Sequence, residues 1–131
     1  MQLIRTLSRL LQLPPRLPRR RSAPTRTRRI LLQEMPLAGF DYHRGPGVWP
    51  FLSQGAELSL RREPFNRHDT NAIAVWFRNE HLGYVPRRDN PLLARLMDRG
   101  ERLEARVIRL LESDNPWRRV RIRVELVSSE D

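Results

Sequence analysis

The chain has 131 residues and a formal net charge of +10, and it contains no cysteine and no lysine. This length fits one soluble domain with extensions, and the composition excludes disulfides and thiolate zinc sites. No apolar run approaches the ~18 residues that a membrane-spanning helix requires.

Positive charge is concentrated at the N-terminus. Nine of the 25 arginines precede residue 34, where no acidic residue occurs, whereas the remainder carries 16 arginines and 15 carboxylates. A protein that grips a long duplex needs many uncompensated cations, because each phosphate that it neutralises adds affinity. The nearly neutral remainder lacks them, so we expect any nucleic-acid recognition there to use a local pocket for an end, a base or a flap.

Residues 1–29 predict a basic, disordered extension. The segment LIRTLSRLLQL predicts a short amphipathic helix that ends at Pro14, and PPRLPRRRSAPTRTRR predicts a solvated linker. Arginines interrupt the would-be apolar region of a secretory signal. An acid-poor amphipathic start is also typical of an organelle transit peptide, which is a minor alternative.

From residue 30 the pattern predicts short strands. ILLQEMPLAGFDYH predicts a first strand that bends at Pro36 and Gly39, and HRGPGVWPFLSQG predicts a loop. AELSLRRE alternates Leu58 and Leu60 with polar neighbours, which predicts a second strand. AIAVWF predicts a buried third strand, and the turn RNE leads into a fourth strand, HLGYVP.

One helix and a hairpin are predicted to follow. Asn90 as N-cap and Pro91 at the first helical position begin the helix, and Gly100 ends it. RLEARVIRLLE and RRVRIRVELV predict the hairpin. About six strands with one or two short helices predict a mainly β fold over residues 30–127, a small, partly open β-barrel of the OB-like or SH3-like kind, before a polar tail at residues 128–131.

The polar segment between the second and third strands, REPFNRHDTNAIAVW, has two interpretations. Asn66, Asp69 and Asn71 can bind nearby backbone groups and shape a turn, which is the structural interpretation. His68 and Asp69 can instead belong to a binding site. Composition alone does not decide between the two.

Aromatic and basic side chains cluster at the predicted strand ends and turns. Aromatic rings stack on bases and arginines bind phosphates, so this mixture suits an unpaired nucleotide. For Phe65 and Trp76 we expect core packing instead. The candidate DNA-binding residues are Tyr42, His43, Arg62, Asn66, Arg67, His68, Asp69, Tyr84 and Arg87.

Catalysis finds little support in the sequence. There is no cysteine nucleophile, no nucleophile elbow and no lysine for a phosphate-binding loop, so we expect no ATPase activity. His43, His68 and Asp69 could form a metal-dependent phosphoesterase site, but their spacing matches no ligand motif. We expect no catalytic residue, no metal site and no cofactor.

Three segments in order, GFDYH, GAELSLRREPFNRHDTNAIAVW and LGYVPRRDNPLLARLMDRG, resemble the HIRAN domain family. That family occurs at the N-terminus of SNF2-type fork-remodelling helicases and as free-standing bacterial proteins, the type that this chain resembles. The resemblance spans roughly Leu31 to Leu126 and implies a small OB-like β-barrel. It also implies a non-enzymatic module for single-stranded DNA 3′-hydroxyl ends, in DNA repair or fork processing, together with a helicase or nuclease partner.

The resemblance also implies roles for single residues. Tyr42 is implied to contact the terminal nucleotide, and His68 to lie beside the terminal base. Asp69 is implied to accept the hydrogen bond of the terminal hydroxyl. The remaining implied roles are pocket shaping for Asn66, a position near the DNA for Tyr84 and a phosphate contact for Arg87.

Asp41 departs from the pattern of the family. This position is basic in a DNA-binding member of the family, so Asp41 removes a phosphate contact. Arg67 occupies a position where proline is common, and it adds a positive charge. The alternative function is therefore a protein-interaction module whose DNA pocket has decayed. For the DNA-binding function, the expected location is the bacterial cytoplasm, at the nucleoid when DNA is bound.

Overall fold

The computed structural model describes residues 26–130, and the side chain of the last of these is not described. The amphipathic start and most of the basic linker predicted for residues 1–29 therefore lie outside the described residues. Within the described part, no helix is long and apolar enough to cross a membrane.

Six strands and two short α-helices make up the described chain. The strands are β1 (Arg26–Pro36), β2 (Glu57–Arg62), β3 (Ile73–Phe77), β4 (Glu80–Tyr84), β5 (Arg102–Leu110) and β6 (Val120–Glu130). The helices are α1 (Gly45–Val48) and α2 (Asn90–Asp98), and short 3-10 turns occur at Phe40–Tyr42, Trp49–Phe51 and Pro116–Arg118.

The strands form one antiparallel sheet in the order β1-β6-β5-β2-β3-β4. β2 changes partner along its length: Glu57 and Leu58 pair with β5, whereas the residues from Ser59 to Arg62 pair with β3. The sheet is not closed. The predicted mainly β fold, with about six strands and one or two short helices, is confirmed and is consistent with an OB-like fold.

The core lies on the inner face of this sheet. β3 is buried along most of its length, and Val120, Ile122 and Val124 of β6 alternate into the core. α2 covers the core with Leu93 and Ala94. Each fully buried large aliphatic side chain contributes about 1.5–3 kcal/mol.

Two local predictions are corrected. β1 begins at Arg26, ahead of Ile30, and ends at Pro36, so GFDYH is not strand. Gly39 has a φ of 71°, a left-handed conformation that interrupts extended backbone and starts the turn with Tyr42. The predicted loop after it contains α1, because proline is favoured in the first helical turn.

The start of α2 also differs from the prediction. Asp89 occupies the N-cap position and Asn90 is the first helical residue, so the Asn90 side chain is free for another contact. The predicted end is confirmed: Gly100 has a φ of 88° and its N–H donates to the Met97 carbonyl. Glycine takes this left-handed conformation at little cost.

Candidate functional site

A cavity of about 650 Å³ lies where the 3-10 turn after β1, the β2–β3 connection, the end of β4 and the start of α2 meet. Seven of the nine predicted DNA-binding residues line it, and Arg62 and Arg67 do not. The lining residues are Ala38, Tyr42, His43, Asn66, His68, Asp69, Ala72, Tyr84, Val85, Arg87 and Asn90.

The β2–β3 connection is a turn held by Asn66. The Asn66 N–H donates to the Glu63 carbonyl at 3.0 Å, which closes a β-turn with Pro64 at its second position. Asn66 Oδ1 accepts from the N–H groups of His68 at 2.9 Å and Asp69 at 3.1 Å. The turn interpretation is therefore correct, and the turn also carries His68 and Asp69 to the cavity.

Asp69 is a partly buried carboxylate with ordered donors. Its Oδ1 accepts from the Asn71 N–H at 2.9 Å, and its Oδ2 accepts from Asn90 Nδ2 at 2.7 Å. Arg87 Nε lies 3.7 Å from Oδ2. Desolvation alone would raise the Asp69 pKa, but these hydrogen bonds and the charges of Arg87 and Arg62 lower it below its usual value. Asp69 is therefore an ionised acceptor at neutral pH.

Asn90 is a site residue that the sequence analysis missed. It is only 1% exposed, and its Oδ1 is buried with no hydrogen-bond partner among the described residues. The prediction used Asn90 as a helix cap because asparagine before proline is typical of a helix start. Its contact with Asp69 joins residues far apart in the sequence, and no local pattern signals such a contact.

Glu63 is a second missed residue, and it connects two predicted ones. Its Oε1 accepts from the Tyr84 hydroxyl at 2.8 Å and from Asn66 Nδ2 at 2.9 Å. Burial and the Glu63 carboxylate raise the Tyr84 pKa to about 12. Tyr84 is therefore a neutral phenol whose hydroxyl is already hydrogen-bonded to Glu63, and its ring lines the cavity.

Stacked rings lie behind this wall. The ring centroids of His43 and His81 are 4.2 Å apart, and His81 stacks on Trp76 at 5.1 Å. Arg61 covers Trp76 with its guanidinium carbon 4.0 Å from the ring centroid, so Trp76 is half-buried between Arg61 and His81. Desolvation and the neighbouring His81 lower the His43 pKa, which favours a neutral ring at pH 7.

The three predicted arginines have different environments. Arg87 is exposed at the cavity and donates to the His68 carbonyl. Arg62 instead donates to both carboxylate oxygens of Asp98 at the end of α2, and to the carbonyl of Ala72 just before β3. Arg67 is exposed and lies outside the lining. Arg62 therefore does not line the cavity, but it hydrogen-bonds the lining residue Ala72 and lowers the Asp69 pKa through its charge.

Phe65 and Asp41 do not match their expected environments. The expected core packing of Phe65 is wrong: it is 94% exposed, because the turn begun by Pro64 directs it away from the core. Asp41 lies beside Tyr42, but its Oδ1 is 3.5 Å from Arg119 Nη1, so its negative charge is paired with an arginine.

The described residues contain no group of three or more His, Cys, Asp or Glu that could hold a metal ion. His43, His68 and Asp69 line the same cavity without forming such a group. The phosphoesterase alternative therefore has no recognisable ligand set in the described part of the chain.

A family model described as the HIRAN domain matches residues 30–129. A crystal structure of a protein from Lactobacillus plantarum superposes with a TM-score of 0.68 at 29% identity, covering 78% of this chain and 98% of that chain. The HIRAN domain of human HLTF superposes with a TM-score of 0.59 at 21% identity, covering 78% and 81% respectively, which supports the fold alone. No curated protein matches the chain in sequence.

Proposed function

Because the chain belongs to the HIRAN domain family, whose domains are DNA-binding modules, we propose that it recognises single-stranded DNA at a free 3′-hydroxyl end. The observation that carries this proposal is the Asp69 carboxylate, held ionised inside a cavity that is also lined by aromatic rings. The volume of about 650 Å³ lies in the range of small-molecule sites, which suits one terminal nucleotide.

Asp69 would select the chemistry of the end. An ionised carboxylate only accepts hydrogen bonds, and each of its oxygens has two lone pairs. Asn71 and Asn90 each engage one oxygen, which leaves acceptor capacity for a hydroxyl donor. A terminal phosphate would bring negative charge against the carboxylate, so the site should disfavour phosphorylated ends.

Tyr42 and His68 would hold the terminal base. Both side chains are exposed at the cavity, with Tyr42 89% exposed, and aromatic rings stack on any base. Arg87 lies beside them and can contact a backbone phosphate. Recognition of this kind needs few cations, which agrees with the nearly neutral charge of the chain after residue 33.

We also propose that the domain has no catalytic role of its own. In repair or fork processing, a helicase or nuclease partner would act on the end that this domain captures.

The test compares oligonucleotides that differ only in a 3′-hydroxyl or a 3′-phosphate, by fluorescence anisotropy with the full chain. We expect about a tenfold preference for the hydroxyl, which corresponds to ~1.4 kcal/mol. Asp69→Asn should reduce this preference more than it reduces total binding. Asp114→Asn, which removes the same charge in the β5–β6 loop, is the matched control and should behave like the wild type.

Equal affinity of the wild type for the two ends would contradict the proposal. Binding that is abolished only by high salt, with no effect of Asp69→Asn, would indicate unspecific attraction to the arginines instead.

A further inference from the structure

A second concave surface lies where β2 leaves β5 and begins to pair with β3. It consists of a cavity of about 680 Å³ and an adjoining cavity of about 450 Å³, and both are lined by Phe51, Phe77 and Arg78. We call the two cavities together the Phe51 groove. The groove shares no lining residue with the cavity that contains Asp69, so it is a separate surface.

Phe51 is an exposed ring whose backbone is held in place. It ends a 3-10 turn that contains Pro50, and the Leu52 N–H closes this turn by donating to the Trp49 carbonyl at 3.2 Å. Leu52 is buried in the core, whereas Phe51 is 68% exposed. A large apolar ring that is fixed at the edge of a concave surface is typical of a protein–protein contact.

The charges of the groove indicate which protein would bind there. Four charged side chains line the larger cavity, namely Glu57, Arg78, Glu104 and Arg106. Glu104 is paired with arginines, and Arg106, although it lies opposite Glu57 in the register, is paired with Glu125. Glu57 and Arg78 are exposed and form no ion pair in the described part of the chain. One anion and one cation are therefore available beside Phe51.

A surface with one available charge of each sign is complementary to a second copy of itself. In a dimer with two-fold symmetry, both copies use the same surface, so each contact between two different residues occurs twice. Glu57 of each copy can then meet Arg78 of the other, and Phe51 of each copy can enter the groove of the other. A partner of one charge sign would instead leave either Glu57 or Arg78 opposite a like charge.

We propose that the Phe51 groove is the interface of a symmetric homodimer, with Phe51 as its apolar anchor and two Glu57–Arg78 ion pairs beside it. This inference goes beyond the proposed function and does not depend on it. Because the groove and the Asp69 cavity share no residue, the dimer would carry two such cavities, both open to a ligand.

The test measures the mass of the full chain by sedimentation equilibrium at about 0.15 M salt, where charges more than ~8 Å apart are largely screened. We expect the wild type to form dimers and Phe51→Ala to weaken them by about tenfold or more. Glu57→Arg and Arg78→Glu should each be monomeric, because the two-fold axis places two like-charge contacts in each interface. An equal mixture of these two variants should form dimers again, since both contacts then join opposite charges.

Leu92→Ala is the control, because Leu92 is exposed on α2 and lines neither cavity of the groove; it should stay dimeric. Circular dichroism checks that each variant is folded. A wild-type chain that stays monomeric up to its solubility limit overturns the proposal, and the groove would then be open to a different protein. Dimers that Phe51→Ala and both charge variants retain, or a mixture of the charge variants that stays monomeric, also overturn it. The proposed function stands in all these cases if the preference for 3′-hydroxyl ends is kept.

Discussion

Two regions of the domain are rich in charged side chains, and the carboxylates of the two regions have different partners. Around the cavity, Asp69 and Glu63 accept hydrogen bonds from uncharged groups, the side chains of Asn90, Asn66 and Tyr84. On the face of β1, β5 and β6 that points away from the core, carboxylates are paired with arginines instead. These pairs are Arg29–Glu104, Arg102–Glu104, Arg106–Glu125 and Arg123–Glu34.

This difference in the partners of the carboxylates indicates which region can still bind a ligand. In the arginine–carboxylate pairs, positive and negative charges neutralise each other, so this face offers little net attraction to a polyanion. At the cavity, the closest donors to Asp69 are uncharged and orient the carboxylate, whereas its arginine partner, Arg87, lies 3.7 Å away and stays largely exposed, so its guanidinium can still contact a ligand. We therefore expect substitutions at the cavity to change binding, and substitutions at the paired face to change stability only slightly.

The largest effect on stability and binding should come from a substitution at Gly83, where the backbone segments that form two walls of the cavity meet. Ala38 and Tyr84 exchange two backbone hydrogen bonds of 2.9 Å, and a Cβ on Gly83 would lie 2.2 Å from the Ala38 carbonyl oxygen. Gly83→Ala should therefore force the turn with Tyr42 away from β4. We expect a loss of about 3 kcal/mol or more in chemical denaturation, together with loss of end binding.

Gly47→Ala is the control for Gly83→Ala, because a Cβ on Gly47 meets nothing within 4 Å and the residue lies in α1. It should leave stability unchanged or raise it by up to about 1 kcal/mol. Equal stability of the two variants would show that the cavity walls do not depend on this close approach.

Asn90→Leu should have the next largest effect, because it keeps the branched shape of the side chain but removes the donor to Asp69. Loss of this bond leaves a partly buried carboxylate less satisfied, at a cost of ~1–3 kcal/mol. The Asp69 pKa is lowered in the folded state, so its contribution to stability is present above the unfolded pKa and is lost as the pH falls through the folded pKa. In Asn90→Leu the folded pKa should rise, and the 3′-hydroxyl preference should disappear at a higher pH than in the wild type.

Leu93→Ala is the control for Asn90→Leu, because it destabilises the same helix without removing the hydrogen bond to Asp69. Leu93 is buried in the core. The substitution should reduce stability by ~2–5 kcal/mol and leave the pH midpoint of end preference where it is in the wild type. A midpoint shared by all three proteins would mean that Asn90 does not control Asp69.

The contrast between the two regions also explains what could be predicted from sequence. The segment RRVRIRVELV predicted β6 correctly, and the family resemblance identified most of the residues that line the cavity. Asn90 and Glu63 were missed because each bonds to a residue 21 positions away, a contact that exists only after the helix and strands pack. Phe65 was misplaced because its hydrophobicity favours the core, whereas the turn geometry decides its direction.

Tyr84→Phe should have a moderate effect, because it removes the hydroxyl that donates to Glu63. We expect a loss of ~1.5 kcal/mol in denaturation at pH 7, since the acceptor is a carboxylate. The raised pKa of Tyr84, about 12, means that the hydrogen bond stabilises the fold fully below the unfolded pKa and is lost as the pH rises through the folded pKa. The phenolate absorbance of the wild type should therefore include one late step that Tyr84→Phe lacks; if the step that disappears in the variant lies at the ordinary tyrosine pKa, the Glu63 contact is contradicted.

Glu34→Gln should have the smallest effect, and it tests the paired face directly. Glu34 lies 3.1 Å from Arg123, and the two side chains are 32% and 41% exposed. Water and salt screen such a pair, so its loss should cost only ~0.2–1 kcal/mol in denaturation and should shrink further at high salt. The freed Arg123 adds one cation to the surface, which should raise unspecific DNA affinity slightly at low salt and leave the 3′-hydroxyl preference unchanged. A changed preference would mean that the two regions are coupled, and the separation between a binding cavity and a self-neutralised face would be wrong.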